Sequence, residues 1–164
     1  MTCFLVYLFT QYRMKPTLIL GLGNLLQCDD GVGCRVAQAL EQRALPADVD
    51  ILDAGTPGVG LLNLMQDRQR VIIIDAAEMG LQPGEFRRFG AEDVQLTGAK
   101  ERISLHRTGI VDTLALAQQL NIALPQIVFY GVQPSHIDWQ DGLSQPVQAA
   151  MPQVIEAILN EIKE

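Results

Sequence analysis

LILGLGNLLQCDDGVG, residues 18–33, decides how the rest of the chain is read. Leu18, Ile19 and Leu20 form an apolar run that reads as a buried strand. Gly21-Leu22-Gly23-Asn24 follows as a glycine turn, then the adjacent acids Asp29 and Asp30, then Gly31-Val32-Gly33 opening a helix. A strand–turn–helix with acids in its turn puts charge at the carboxyl end of a strand. That edge is where ligands bind in open α/β sheets. Asp30 sits where its carboxylate is expected to cap the helix, meeting free N–H groups and the positive end of the dipole.

Working outward, Val32, Val36 and Leu40 have helical spacing, with Arg43 expected in the last turn. Residues 49–52 read as a second strand, ending at Asp53-Ala54-Gly55-Thr56. Leu61, Leu62, Leu64 and Met65 predict a short helix. Val71-Ile72-Ile73-Ile74-Asp75 is a continuous β-branched run ending in an acid, the signature of a strand buried on both faces. Residues 85–89 read as a further strand. Its link from Asp75 is too short for a helical crossover, so it is predicted to be antiparallel and at an edge, where Arg87 and Arg88 meet solvent. After a polar irregular stretch, Ile110, Leu114 and Ala117 predict a helix, residues 127–130 a buried strand, and residues 147–162 a final amphipathic helix. The expected fold is a three-layer α/β sandwich: a mostly parallel, twisted five-stranded sheet, one antiparallel edge strand, and helices on both faces.

The chain has 164 residues, 48% of them apolar, with a net charge of −7. That length suits one domain. The acidic balance argues against a nucleic-acid partner, which needs clustered Lys and Arg. Three cysteines, Cys3, Cys28 and Cys34, fit a reduced, cytoplasmic setting. Residues 1–13, MTCFLVYLFTQYR, stand apart from the pattern. The apolar part is too short to span a bilayer and has no basic start, so neither a membrane segment nor a signal peptide is read there. Met14-Lys15-Pro16 reads as the natural beginning of the domain, which is taken as residues 14–164, with residues 1–13 an extension from a start assigned too far upstream.

Parallel strands would bring Asp29-Asp30, Asp53 and Asp75 to one edge, and the loop carrying His106 could reach it. Singly, Asp30 reads as a helix cap, Asp75 as a turn former and His106 as a solvated histidine. Together, two carboxylates and an imidazole make a ligand set for a divalent metal such as nickel or zinc. A dinucleotide fingerprint fails because Leu26 stands where its third glycine belongs, and paired acids repel a pyrophosphate. Ser104, Ser135 and Ser144 lie in no nucleophile elbow. Cys28 lies beside two carboxylates that disfavour its thiolate, and Cys34 reads as a small core residue.

In order, GLGNLLQCDDGVG, DAGT (53–56), IIIDAAEMG, PGE (83–85), His106, GVQP (131–134) and GLSQPV (142–147) resemble the hydrogenase maturation endopeptidases. These enzymes process the large subunit of nickel–iron hydrogenases. The resemblance covers nearly all of the chain from Lys15 onward. It implies a twisted sheet between helices, and removal of a C-terminal extension from the large-subunit precursor after nickel insertion. It places the family's metal positions on Asp30, Asp75 and His106, which would also be the catalytic set, and substrate handling on Asp53, Gly55 and Thr56. The second acid of the turn is Glu in some relatives and Asp here, which keeps the charge but shortens the reach. The implied metal is nickel supplied by the precursor, with no organic cofactor. A non-enzymatic nickel-binding chaperone of the large subunit is the alternative.

Deleting residues 1–13 is expected to leave folding and activity intact, because the first core strand begins near Thr17. A fall in Tm of more than a few degrees, roughly 1 kcal/mol or more at this size, would show that the extension packs on the domain.

Overall fold

The computed structural model describes residues 14–94 and 109–163. The N-terminal extension, Ser104 and the loop carrying His106 therefore lie outside the described residues. Within them, five strands form one sheet: β1 (Thr17–Leu22), β2 (Val49–Gly55), β3 (Arg70–Ala76), β4 (Phe86–Gly90) and β5 (Gln126–Val132). Their order is β2-β1-β3-β5-β4. β2, β1, β3 and β5 are parallel, with Gly21 opposite both Asp53 and Ile74, and Asp75 opposite Gly131. β4 runs antiparallel to β5 at the edge, as its short link from β3 requires. The sandwich read from the sequence is the architecture found.

The β-branched run on β3 explains the three layers. Val71 and Ile73 face one side of the sheet, and Ile72 and Ile74 the other. On the first side they pack with Leu18, Leu20 and Phe129 beneath Leu61 and Met65 of α2 (Leu61–Met65) and Ile110 and Leu114 of α3 (Ile110–Gln119). On the second side they meet Val32, Val36 and Leu40 of α1 (Val32–Glu41) and Val147, Val154 and Ile158 of α4 (Gln145–Glu161). A period-2 strand covered on both faces must be apolar at every position, which is why this run shows no alternation. Arg43, expected in the last turn of α1, falls just past its end, where its N–H bonds the Leu40 carbonyl.

One ion network ties the far end of α4 to the sheet. Glu161, 6% exposed, accepts from Arg88 Nε on β4 at 2.6 Å and from Tyr130 Oη on β5 at 2.7 Å, and pairs with Arg70 of β3. Three strands are thereby fastened to one helix through a single carboxylate. The Arg88 guanidinium, above all, holds the Glu161 carboxyl down at about 2, with Tyr130 and Arg70 contributing after the cost of burial.

Because the folded carboxyl gives up its proton more readily than the unfolded one, the stabilisation is complete above about pH 4.5. It is lost as the pH falls towards about 2. It amounts to roughly 3 kcal/mol. Urea midpoints of the wild-type protein should therefore drop through this window, while Glu161→Gln, less stable at neutral pH, loses little more. Parallel pH dependences in the two proteins would show that Glu161 carries no such linkage.

Candidate functional site at the carboxyl edge of the sheet

The glycine turn after β1 folds back on the segment that follows it. Gly23 has φ +124°, a backbone conformation L side chains rarely adopt, and a Cβ there would lie 1.7 Å from the Asp30 carbonyl oxygen. A Cβ on Gly33 would lie 2.1 Å from the Ile74 carbonyl oxygen, so the first turn of α1 sits directly on the end of β3. Between these contacts residues Cys28–Gly31 make a short 3-10 turn that also packs on β3. Asp30, on this turn, and Asp75, near the end of β3, are each only 2% exposed. Two of the three sequence-predicted ligands are thus buried at the carboxyl ends of neighbouring parallel strands. The third, His106, lies outside the described residues.

Asp30 does not cap α1. The N-cap position is Gly31, with no side-chain cap bond, and the Asp30 carboxylate turns back to accept the Asn24 N–H at 2.8 Å. The 3-10 turn rotates the side chain away from the helix axis and towards the glycine turn. Asn24 in turn accepts the Leu26 N–H at 3.0 Å, an Asx turn that fixes the loop.

Asp53 lies near the end of β2, the strand at one edge of the sheet. Its carboxylate accepts from Gln38 Nε2 of α1 at 2.7 Å and from the Gly55 N–H at 3.3 Å. The Gly55 carbonyl accepts the Gly23 N–H at 2.9 Å, which ties the 53–56 segment to the glycine turn. Thr56 is exposed beside it. Cys34 is buried beneath these strand ends, with Sγ 3.3 Å from the Gly23 carbonyl oxygen. Burial first, and the Asp53 and Asp75 carboxylates after it, push its thiol up to about 12. The core role read for Cys34 agrees with that placement.

Asp29, which the sequence marks only as an acid at the sheet edge, has a structural role of its own. It is fully buried and accepts five hydrogen bonds: from Ser135 N–H (2.8 Å), His136 N–H (3.3 Å), Ser144 N–H (2.7 Å), Ser144 Oγ (2.8 Å) and Cys28 Sγ (3.8 Å). One carboxylate therefore staples the segment after β5 and the start of α4 to the turn that carries Asp30. Ser144 stands at the N-cap of α4 but makes no side-chain cap bond, because its hydroxyl goes to Asp29. Gln133, from the GVQP segment, does a parallel job. Its Oε1 accepts the Met79 N–H at 2.7 Å and its Nε2 donates to Glu78 at 2.8 Å, holding the loop after β3. Sequence reasoning missed His136, although a histidine two residues beyond Pro134 was the available signal. Its Nε2 lies 3.3 Å from Cys28 Sγ. Burial and then the Asp29 charge raise the Cys28 thiol above its ordinary range, as the neighbouring acids led one to expect.

A family model described as hydrogenase maturation protease matches residues 34–161. The hydrogenase expression/formation protein HupD of Bradyrhizobium diazoefficiens is 37% identical over 142 residues, covering 85% of this chain and 73% of HupD. The solved structure of the hydrogenase maturating endopeptidase HybD from E. coli superposes with a TM-score of 0.77 at 34% identity, covering 90% of this chain and 91% of that one. The [NiFe] hydrogenase maturation protease HybD from Thermococcus kodakarensis gives a TM-score of 0.72 at 31% identity, covering 89% and 98%.

Asp29→Asn turns an oxygen that accepts hydrogen bonds into an amide nitrogen facing donors. Losing charge-assisted bonds of this kind costs roughly 1.5–3 kcal/mol each. The variant should therefore melt several degrees below wild type, whereas the partly exposed Asp53→Asn should melt near it. Equal melting temperatures for Asp29→Asn and wild type would show that the staple contributes nothing.

Proposed function

The chain belongs to the hydrogenase maturation protease family, and on this ground we propose that its substrate is a nickel–iron hydrogenase large-subunit precursor. It is a hydrogenase maturation endopeptidase. In the finer reading it removes the precursor's C-terminal extension after nickel insertion, and Asp30, Asp75 and His106 recognise the nickel that the precursor carries. The cytoplasm is the proposed location. No helix among the described residues is long and apolar enough to cross a membrane.

The observation that supports this reading most is the burial of Asp30 and Asp75 together at one sheet edge. Carboxylates leave water at high cost unless a cation or hydrogen bonds compensate. A divalent ion brought in by a loaded precursor adds to the compensation that hydrogen bonds, such as the Asn24 N–H on Asp30, already give. The ion belongs to the substrate and reports that its active site is complete. In this reading Asp53, Gly55 and Thr56, tied to the glycine turn, steer the tail towards the buried acids. Hydrolysis joins a water oxygen to the scissile carbonyl carbon and breaks the C–N bond. Asp30 or Asp75 takes the water's proton, and the leaving nitrogen gains one. No serine or cysteine nucleophile is required.

Purified protein mixed with nickel-loaded and nickel-free precursor should shorten only the loaded form, read by gel mobility and product mass. Asp30→Asn, Asp75→Asn and His106→Ala should each slow cleavage by roughly 10²-fold or more. Each variant should still melt in one cooperative step, so that lost cleavage reports lost function rather than lost fold. Asp53→Asn should disturb cleavage with a smaller effect on metal affinity. Full processing by His106→Ala, or equal cleavage of the two precursors, would overturn nickel recognition. A precursor held but left uncut would point to a chaperone.

A further inference from the structure

We propose that Cys28, Asp29 and His136 form a second cation site, distinct from Asp30, Asp75 and His106, that takes a free thiophilic divalent ion of the zinc type. One ligand atom from each lies within 4.8 Å of the other two. Cys28 Sγ is 3.3 Å from His136 Nε2 and 3.8 Å from Asp29 Oδ1. A tetrahedral zinc ion, with Zn–S about 2.3 Å and Zn–N or Zn–O about 2.0–2.2 Å, holds its ligands about 3.5 Å apart. The two Cys28 separations bracket that value, and the third, between Asp29 and His136, lies within 4.8 Å, so moving the imidazole towards Asp29 closes the set.

The surroundings are those of a prepared site. Both Asp29 oxygens are oriented by backbone donors of the 135–144 segment, and outer hydrogen bonds of this kind fix ligating carboxylates. Cys28 has φ +48°, and its N–H bonds the Gln140 carbonyl at 2.8 Å. That pair of constraints aims a buried thiol at the histidine. His136 is exposed while Cys28 and Asp29 are buried, so an ion reaches the set from the His136 side. The thiol–imidazole–carboxylate set selects borderline and soft ions over magnesium or calcium. On binding, the ion replaces the thiol proton between Sγ and Oδ1, and that proton leaves to solvent. Occupancy would tie the 135–144 segment to the Asp30 turn by a metal bridge in addition to the Asp29 hydrogen bonds.

Cobalt(II) added to metal-free, full-length protein is the probe, because cobalt–thiolate bonds give a near-ultraviolet charge-transfer band and tetrahedral cobalt gives intense visible bands. Both should appear at one ion per chain, be displaced by zinc, and persist in Asp75→Asn. Cys28→Ser should abolish the charge-transfer band. His136→Ala, a change at an exposed residue that leaves the fold intact, should weaken the apparent Kd at least tenfold. Absence of a charge-transfer band in wild type would overturn the site. So would its survival in Cys28→Ser, which would assign the thiolate to Cys3 or Cys34, or an unchanged Kd in His136→Ala.

Discussion

Backbone-on-backbone contact at the glycines of the first turn is the constraint on which the site depends. A Cβ on Gly21 would lie 2.2 Å from the Gly33 carbonyl oxygen, and one on Gly33 would lie 2.1 Å from that of Ile74. No side chain fits between β1, the start of α1 and the end of β3. The three segments are therefore locked at van der Waals distance, and Asp30 and Asp75 are carried on rigid supports. Protein interiors pack too densely for such a contact to relax without moving an element. The acids owe their placement to the absence of side chains around them.

Two carboxylates then divide the remaining work. Asp29 and Asp30 are consecutive and both buried, yet they point to different tasks. Asp29 gathers the segment after β5 and the start of α4. Asp30 accepts from the glycine turn. Another buried carboxylate, Glu161, closes the far end of α4 onto β3, β4 and β5. α4 is thus held at both ends by charge-assisted bonds, and its apolar side, through Val147, Val154 and Ile158, covers the sheet between them.

Most of the fold was legible in the sequence because its signals are local. The unbroken apolar run at 71–74 could only be a strand covered on both faces. The short link from Asp75 forced an antiparallel edge at 86–90. Strand ends were less legible: β2 runs on to Gly55, through a segment whose Asp-Ala-Gly composition reads as a turn. The placing of Asp30 as a helix cap failed because a 3-10 turn and the first turn of an α-helix have the same local sequence pattern. The role of Asp29 was invisible because its partners, Ser135 and Ser144, lie more than a hundred residues away. Glu161 was hidden similarly, on the polar side of an amphipathic helix whose partners come from three strands. The Cys28–His136 pair likewise joins positions that only the tertiary fold makes neighbours.

In the proposed reading, the buried acids recognise the nickel of a loaded precursor. X-ray absorption at the nickel edge, on the precursor alone and in complex with this protein before cleavage, tests it directly. Nickel is expected to gain oxygen and nitrogen neighbours on complex formation, and Asp75→Asn is expected to lower that gain. A nickel ligand set unchanged by the complex, while cleavage still follows, would contradict it.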